Sequence, residues 1–247
     1  MATQEIFTSE IACQDKPFHT GGFDDSAATE ELYAVHSGLP ISSFQYRVLK
    51  PLIDLSIVFL ALPVALPLGL LIAAMIRLTS KGSPIYRHRR IGQFDQPLDV
   101  WKFRTMYEDS DHVLEQHFSS SPGARQEWEQ TQKLRDDPRV TPIGRLLRKT
   151  SMDEIPQLLN VLAGNMSIVG PRPIVDEERA KYGKYFTTYT HALPGITGLW
   201  QVSGRCDVNY PERVLLDVQY VEQWNFWMET KILLKTVFVI MHSKGAY

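Results

Sequence analysis

Residues 49–76 read LKPLIDLSIVFLALPVALPLGLLIAAMI, a long apolar run that determines how the rest of the chain must fold. About 20 apolar residues are enough to cross a bilayer, so this run predicts a membrane segment. It nevertheless contains Asp54 and two prolines, Pro63 and Pro67, which a simple membrane-spanning helix does not favour. Asp54 follows Lys50 by four residues, and this spacing predicts a paired charge at the interface rather than a functional acid.

Basic residues flank this run on both sides, at positions 47, 50, 77 and 81. The positive-inside rule places both flanks on the cytoplasmic side of a membrane, which a straight crossing does not allow. A helix that breaks at the two prolines and turns back satisfies the rule at both ends. Residues 43–80 are therefore predicted to form a re-entrant helix–break–helix in one leaflet. The alternative is a spanning helix kinked by its prolines.

The other regions differ from this segment in composition. Residues 1–42 are polar and acidic without periodicity, which predicts a flexible tail, and no cleavable signal is expected. Residues 81–247 are long enough for a folded domain of their own. The net charge of −2 gives no reason to expect nucleic acid as a partner. Two cysteines, Cys13 and Cys206, without a CxxC pair are typical of a reducing compartment and of a protein without a zinc site.

Residues 87–106, RHRRIGQFDQPLDVWKFRTM, combine alternating apolar residues with a turn around residues 92–97. This pattern predicts a small β-hairpin. Its basic side chains are Arg87, Arg89, Arg90, Lys102 and Arg104. Such a surface beside a membrane element can bind anionic lipid headgroups, or it can hold phosphates in a site at the interface. The residues alone leave both uses open.

Residues 147–172, LRKTSMDEIPQLLNVLAGNMSIVGPR, place two adjacent carboxylates, Asp153 and Glu154, among basic residues. Ser151 precedes Glu154 by three residues, the spacing of a capping box, so a helix is predicted to begin here. The dipole of that helix would favour bound phosphate. Arg172 stands between two prolines, which restrict its backbone and reduce the entropy lost on binding an anion. The plain alternative is a helix cap with surface ion pairs.

The C-terminal part combines glycine-rich turns with two helices. Glycines around Arg205 permit close approach of the backbone to a ligand. From residue 211 onward two helices are predicted, the second strongly apolar with Trp224 and Trp227 at its start. We expect it to lie in the membrane interface, with both tryptophans at headgroup depth. The fold class is thus mainly α with a small β-hairpin (α+β).

The motifs KFRTM, SMDEIPQLLNVL, MSIVGPRP, PGITGLWQVSGR and LLDVQYV occur here in the order typical of one family. The chain resembles the bacterial sugar transferases, small monotopic phosphoglycosyl transferases, over residues 43–242. The resemblance implies a membrane protein of the bacterial inner membrane, with a catalytic domain on the cytoplasmic face. It also implies transfer of a sugar 1-phosphate from a UDP-sugar to undecaprenyl phosphate, with Mg²⁺ and a covalent aspartyl-phosphosugar intermediate.

The resemblance also implies roles for individual residues. Asp153 matches the nucleophile and would contact the metal, and Glu154 matches its partner carboxylate. Substrate-binding roles fall on Lys102, Arg104, Arg148, Arg172, Arg205 and Asp217. Two positions depart from the family pattern, because Leu66 stands where a serine usually precedes the helix-breaking proline and Cys206 stands where asparagine is common.

Among family members, the chain looks closest to those that begin exopolysaccharide synthesis with a hexose. We therefore expect UDP-galactose or UDP-glucose as donor, undecaprenyl phosphate as acceptor and UMP as the leaving product. Alternatives are the same chemistry with a UDP-N-acetyl sugar, a hydrolase of diphosphates, or a membrane-surface scaffold for polysaccharide machinery. Contact with membrane lipid and self-association into a homodimer through the apolar helices are further expectations.

Overall fold

The computed structural model describes residues 38–121, 123–125, 128, 134, 137–204 and 208–242. The expected flexible tail, residues 1–42, lies almost entirely outside the described residues. Most of the described chain is helical, which confirms the mainly α prediction. The helices are α1 (Lys50–Thr79), α2 (Ser110–Ser120), α3 (Pro142–Thr150), α4 (Gln157–Leu162), α5 (Arg179–Tyr182), α6 (Phe186–Thr190), α7 (Leu199–Ser203), α8 (Tyr210–Gln223) and α9 (Phe226–His242).

The predicted hairpin is confirmed as strands β1 (Ile85–Ile91) and β2 (Pro97–Phe103), which pair antiparallel. Two further short strands, β3 (Ser167–Val169) and β4 (Gly195–Thr197), form a parallel pair that the sequence did not predict. A Cβ atom on Gly195 would lie 2.1 Å from the backbone nitrogen of Gly170. Glycine at position 195 therefore serves the close approach of one chain segment to another, and not of the backbone to a ligand as the sequence suggested.

Helix α1 continues through Pro63 and Pro67 without losing its helical assignment, so the expected break in secondary structure is not found. Together with the turn before it, the helix spans Gln45–Thr79, 35 residues with a hydropathy high enough for a membrane segment. Only 11% of its most apolar 18-residue stretch is buried inside the protein. The exposed large side chains of its middle part are Phe59, Leu60, Val64, Leu66, Leu70 and Leu71. This helix is a candidate membrane anchor.

Both ends of α1 nevertheless pack on the same folded domain. Val58, near the N-terminal end, belongs to the main core cluster, together with Val169 and Tyr220. Ile76, near the C-terminal end, packs in a separate cluster with Leu147. Residues of α1 are therefore buried against the domain near both ends of the helix, whereas the apolar residues in its middle are exposed.

A buried network of charges fastens the N-terminal end of α1. The Lys50 ammonium lies 2.9 Å from Glu229 on α9 and 3.4 Å from Asp54 one helical turn away. The hydroxyl of Ser167 donates a hydrogen bond of 2.6 Å to Asp54. Asp54 is thus a paired charge, as predicted, although its partners lie inside the protein. The indole N–H of Trp224 donates to Glu229 at 2.6 Å.

The two C-terminal helices are confirmed as α8 and α9. Trp227 is 77% exposed and agrees with an interfacial position, but Trp224 is 4% exposed and belongs to the core. The prediction that both tryptophans reach headgroup depth is therefore wrong for Trp224. Its N–H is needed inside, because Glu229 is buried and requires donors.

Candidate active site

The two adjacent carboxylates lie in a 3₁₀ turn, Met152–Glu154, between helices α3 and α4. Ser151 adopts a left-handed conformation (φ 56°) that ends α3, and its side chain makes no capping hydrogen bond. The predicted capping box is therefore wrong. Helix α4 begins only at Gln157, after the carboxylates, so the dipole argument for a phosphate site at its N-terminus does not hold. The turn instead exposes part of both acids between the two helices.

Glu154 forms an ion pair with Lys102 on strand β2, with 2.7 Å between the nitrogen and Oε1. Each side chain is about one quarter exposed (23% and 24%). Burial alone would raise the pKa of Glu154, but the charge and hydrogen bond of Lys102, with Arg172 nearby, hold it below its usual range. Glu154 is therefore an anion whose charge is already matched.

Asp153 lies in a different environment from its neighbour. Burial raises the pKa of its carboxyl above the usual range, opposed by Lys102 and Arg148. Within the described ranges it forms no ion pair of 4 Å or shorter. Arg148 is oriented toward this region by Thr105, whose hydroxyl accepts from its Nε at 2.9 Å. Asp153 is thus a partly buried carboxylate that remains available to a ligand or a cation.

His88, which the sequence did not indicate, and Arg90, which it placed only among the basic residues of the hairpin, lie near Lys102 and Arg172. Burial, with Arg90, Lys102 and Arg172 around it, lowers the pKa of His88 to about 4. Nη2 of Arg90 lies 3.2 Å from Nδ1 of His88. A guanidinium only donates, so Nδ1 accepts and the ring proton lies on Nε2. The alternation of side chains along the strands could have revealed this cluster, because His88, Arg90 and Lys102 leave the hairpin on one face.

Arg172 is placed by its backbone. Its carbonyl oxygen accepts from the hydroxyl of Tyr189 at 2.8 Å, and the same hydroxyl accepts from the N–H of Ile174 at 3.2 Å. Its guanidinium lies over the ring of Trp200, with 5.9 Å between Cζ and the ring centroid. The two flanking prolines and these contacts leave the planar fork with little freedom, as the sequence predicted for this position.

Asp217 is fully buried beneath that loop, so the structure corrects its expected role as a direct substrate contact. Its Oδ2 accepts from the hydroxyl of Tyr182 at 2.8 Å. Burial raises the pKa of its carboxyl to about 8, opposed by the hydroxyl of Tyr182 and the backbone N–H of Arg172. Asp217 therefore contacts the backbone that carries Arg172 and does not itself face a ligand.

Arg104 also has a different place from the one expected. Its Nη2 donates to the carbonyl oxygen and the hydroxyl of Ser80, at 3.3 and 2.9 Å. Ser80 ends helix α1, so Arg104 fastens the C-terminal end of the membrane helix instead of pointing at a substrate. Arg205 and Cys206 lie outside the described residues.

The residues around Asp153 and Glu154 are compatible with bound Mg²⁺. No group of three or more His, Cys, Asp or Glu side chains forms a metal site in the described part of the chain. Mg²⁺ does not require one, because it commonly binds one or two carboxylates together with substrate phosphates and water. Asp153 offers such a carboxylate, since it lacks a cationic partner there. It is the residue that would hold the ion.

The described part of the chain thus places two carboxylates among arginines, a lysine and a neutral histidine, which suits a phosphate-bearing substrate. The long exposed apolar helix of the same domain is a candidate membrane anchor. The family model for the bacterial sugar transferases matches residues 45–243, and the chain belongs to this family.

Several relatives are similar over most of this chain. The exopolysaccharide production protein ExoY of Sinorhizobium fredii is 47% identical over 194 residues, 78% of this chain and 86% of that protein. The undecaprenyl-phosphate galactose phosphotransferase of Salmonella typhimurium is 46% identical over 202 residues, 81% of this chain but 42% of that protein. The UDP-glucose:undecaprenyl-phosphate glucose-1-phosphate transferase of Escherichia coli is 38% identical over 210 residues, again 81% and 42%.

Proposed function

We propose that this protein transfers hexose 1-phosphate from UDP-galactose or UDP-glucose to undecaprenyl phosphate and releases UMP. The observation that carries the proposal is a difference in ion pairing between the two adjacent carboxylates, Asp153 and Glu154. Glu154 is matched by Lys102, whereas Asp153 has no ion-pair partner among the described residues although cations surround it. Two relatives are named undecaprenyl-phosphate galactose phosphotransferase and UDP-glucose:undecaprenyl-phosphate glucose-1-phosphate transferase, which supports a hexose donor.

In the first half-reaction, a carboxylate oxygen of Asp153 attacks the phosphorus that carries the sugar. A P–O bond to that carboxylate forms, the P–O bond to the UMP phosphate breaks, and UMP leaves with the bonding electrons. A carboxylate is ionised near neutral pH and needs no general base for this step. When bound, Mg²⁺ would neutralise part of the diphosphate charge.

In the second half-reaction, an oxygen of undecaprenyl phosphate attacks the same phosphorus. The bond to Asp153 breaks, the free carboxylate is restored, and the product carries a diphosphate between lipid and sugar. Arg172 and Arg90 supply fixed guanidinium groups for the phosphate charge, and His88 supplies a neutral Nε2–H donor. Lys102 keeps Glu154 ionised beside the reacting carboxylate.

Transfer to a lipid requires a site at the depth of the headgroups, because a lipid phosphate does not leave that plane. We propose that α1 enters and leaves one leaflet at the cytoplasmic face. Two facts support this: Lys50 and Asp54 fasten one end of α1 to the domain, and Arg104 fastens the other. A helix whose two ends are both attached to the same small domain is not expected to place those ends on opposite sides of a bilayer.

The test separates the half-reactions. Purified protein with a radiolabelled UDP-hexose, Mg²⁺ and no lipid is expected to release UMP once per enzyme and to carry label on Asp153. Asp153→Asn is expected to abolish both UMP release and labelling. The matched control is Asp176→Asn, which removes a carboxylate whose side chain is 79% exposed, and it should react normally. Sequential kinetics without label on the protein would contradict the proposed intermediate.

A further inference from the structure

The register of the hairpin divides its basic residues between two faces. Arg87 pairs with Trp101, and Arg89 pairs with Asp99. Because successive side chains of a strand point to opposite faces, these four share the face that does not carry His88, Arg90 and Lys102. The sequence left two uses open for the basic hairpin, binding of lipid headgroups and binding of phosphates in a site. The fold places Arg87 and Arg89 on one face of the hairpin and Arg90 and Lys102 on the other.

The second face forms one wall of an open groove of about 330 Å³. The side chains of Arg87, Arg89 and Trp101 line it on the strand side. Helix α4 and the residues after it line the other side with Leu159, Ala163 and Asn165. The groove thus combines cations and an indole with a short apolar wall.

The two cations of the groove are accessible to an anion. The guanidinium of Arg87 lies over the ring of Trp101, with 5.5 Å between Cζ and the ring centroid. It forms no ion pair with any residue that the structure describes. Arg89 is 3.4 Å from Asp99, with 70% of the arginine side chain and 41% of the aspartate side chain exposed. An exposed pair of this kind contributes little and exchanges readily with a competing anion.

The groove lies next to the membrane helix. A Cβ atom on Gly69 of α1 would lie 3.7 Å from the ring of Phe103 and 4.0 Å from Ile155. Phe103 is two residues beyond Trp101 on the same strand face, and Ile155 lies in the turn that leads into α4, four residues before Leu159. The groove therefore begins where the contact surface with α1 ends, beside the exposed apolar middle of that helix.

We propose that this groove binds the phosphate headgroup of an anionic membrane phospholipid, with Arg87 and Arg89 on the phosphate and Trp101 at headgroup depth. Arginine forks match phosphate oxygens, and tryptophan is favoured at the membrane–water interface. The exposed Leu159 suits the glycerol and first acyl carbons of the same lipid. The reacting phosphate of the lipid acceptor is not the occupant, because that phosphate must reach the opposite face of the hairpin, where Lys102 pairs with Glu154. The exclusion of the acceptor phosphate rests on the proposed function, whereas binding of a phospholipid headgroup depends only on membrane attachment.

The test compares lipid selectivity without any nucleotide. The full chain is reconstituted with spin-labelled phosphatidylglycerol or phosphatidylcholine, and electron spin resonance gives the association of each lipid relative to the other. We expect a preference for phosphatidylglycerol that falls about threefold or more in the double variant Arg87→Gln/Arg89→Gln. The matched control is Arg125→Gln, an arginine with 52% of its side chain exposed and an ion pair to Glu115.

Circular dichroism and the thermal midpoint of each variant show that the fold is retained. An unchanged preference in the double variant would overturn the proposal. An equal loss in Arg125→Gln would also overturn it, because the effect would then be one of total charge. The proposal would likewise be overturned if undecaprenyl phosphate displaces the labelled lipid while unlabelled phosphatidylglycerol does not. The groove would then bind the lipid acceptor and not a membrane phospholipid.

Discussion

Replacement of Lys50 by methionine tests whether the buried charges fasten the membrane helix. Lys50 is 3% exposed and lies between two carboxylates, Glu229 at 2.9 Å and Asp54 at 3.4 Å. Methionine fills a similar volume and can still pack near the ring of Tyr46, whose centroid lies 6.0 Å from the Lys50 nitrogen. It removes the cation and leaves two acids buried at 8–10% side-chain exposure without a counter-charge.

The expected loss of stability follows from that geometry. Removing one partner of a buried ion pair costs about 3–5 kcal/mol, because the remaining charge has been taken out of water without compensation. Here two carboxylates would remain, so the upper part of this range is expected. Adding Glu229→Gln to Lys50→Met should recover part of the loss, because glutamine has no charge yet its oxygen can still accept from Trp224.

The assay is thermal unfolding of the purified protein in detergent, together with limited proteolysis of residues 43–50. The matched control is Lys231→Met, the same substitution at an exposed position on helix α9 close to Glu229. It should change stability by less than about 0.5 kcal/mol. If Lys50→Met unfolds at the same temperature as Lys231→Met, the buried network does not hold α1 to the domain. If the double variant is no more stable than Lys50→Met, the unpaired carboxylate of Glu229 is not the cause of the loss.

Three further experiments concern the site and the packing of the domain. Lys102→Met should lower turnover about 100-fold. It should also move the acidic limb of the pH–rate profile to higher pH, because Glu154 loses the positive charge that lowers its pKa. An acidic limb at the same pH as in the unchanged protein would contradict this. Asp217 has a native pKa of about 8 against about 3.9 unfolded, so the folded state holds the extra proton between these values. Stability should therefore fall as pH rises from 4 to 8, and Asp217→Asn should remove this slope in thermal midpoints measured across that range. Gly144→Ala would place a Cβ atom against the carbonyl oxygen of Thr105, so it should lower the free energy of unfolding by about 2 kcal/mol or more. Gly123→Ala is the control, because the space around Gly123 is open, and it should leave stability nearly unchanged in the same thermal assay.

The elements that the sequence predicted correctly depend on local patterns. Alternating apolar residues and a turn predicted a hairpin within residues 87–106, and the structure has it as Ile85–Ile91 paired with Pro97–Phe103. The final two helices followed from apolar periodicity in the same way. The position of Asp153 and Glu154 beside Lys102 was implied by the family resemblance, and the coordinates bring these residues together.

The errors arise where distant residues decide. A capping-box spacing at Ser151 was outweighed by the end of the preceding helix, because a left-handed residue terminates α3 there. Arg104 looked like a phosphate ligand in its motif, yet the carbonyl oxygen that ends α1 is its partner. Glu229 had no signal in the sequence, since only the folded chain brings Lys50 to it. Burial of Asp217 was equally invisible, because an acid in an amphipathic helix reads as exposed.

One short strand connects the membrane helix to the reaction site. Strand β3 begins at Ser167, which donates to Asp54 of α1, and two residues after its end the chain reaches Pro171 and then Arg172. The hydroxyl of Tyr220 lies 2.9 Å from the carbonyl oxygen of Val169, the last residue of that strand. The residue that holds α1 and the backbone that carries the arginine fork therefore belong to one continuous segment, residues 167–172. For a transfer to a lipid phosphate, we expect the contacts that hold the helix to influence the depth of the site as well.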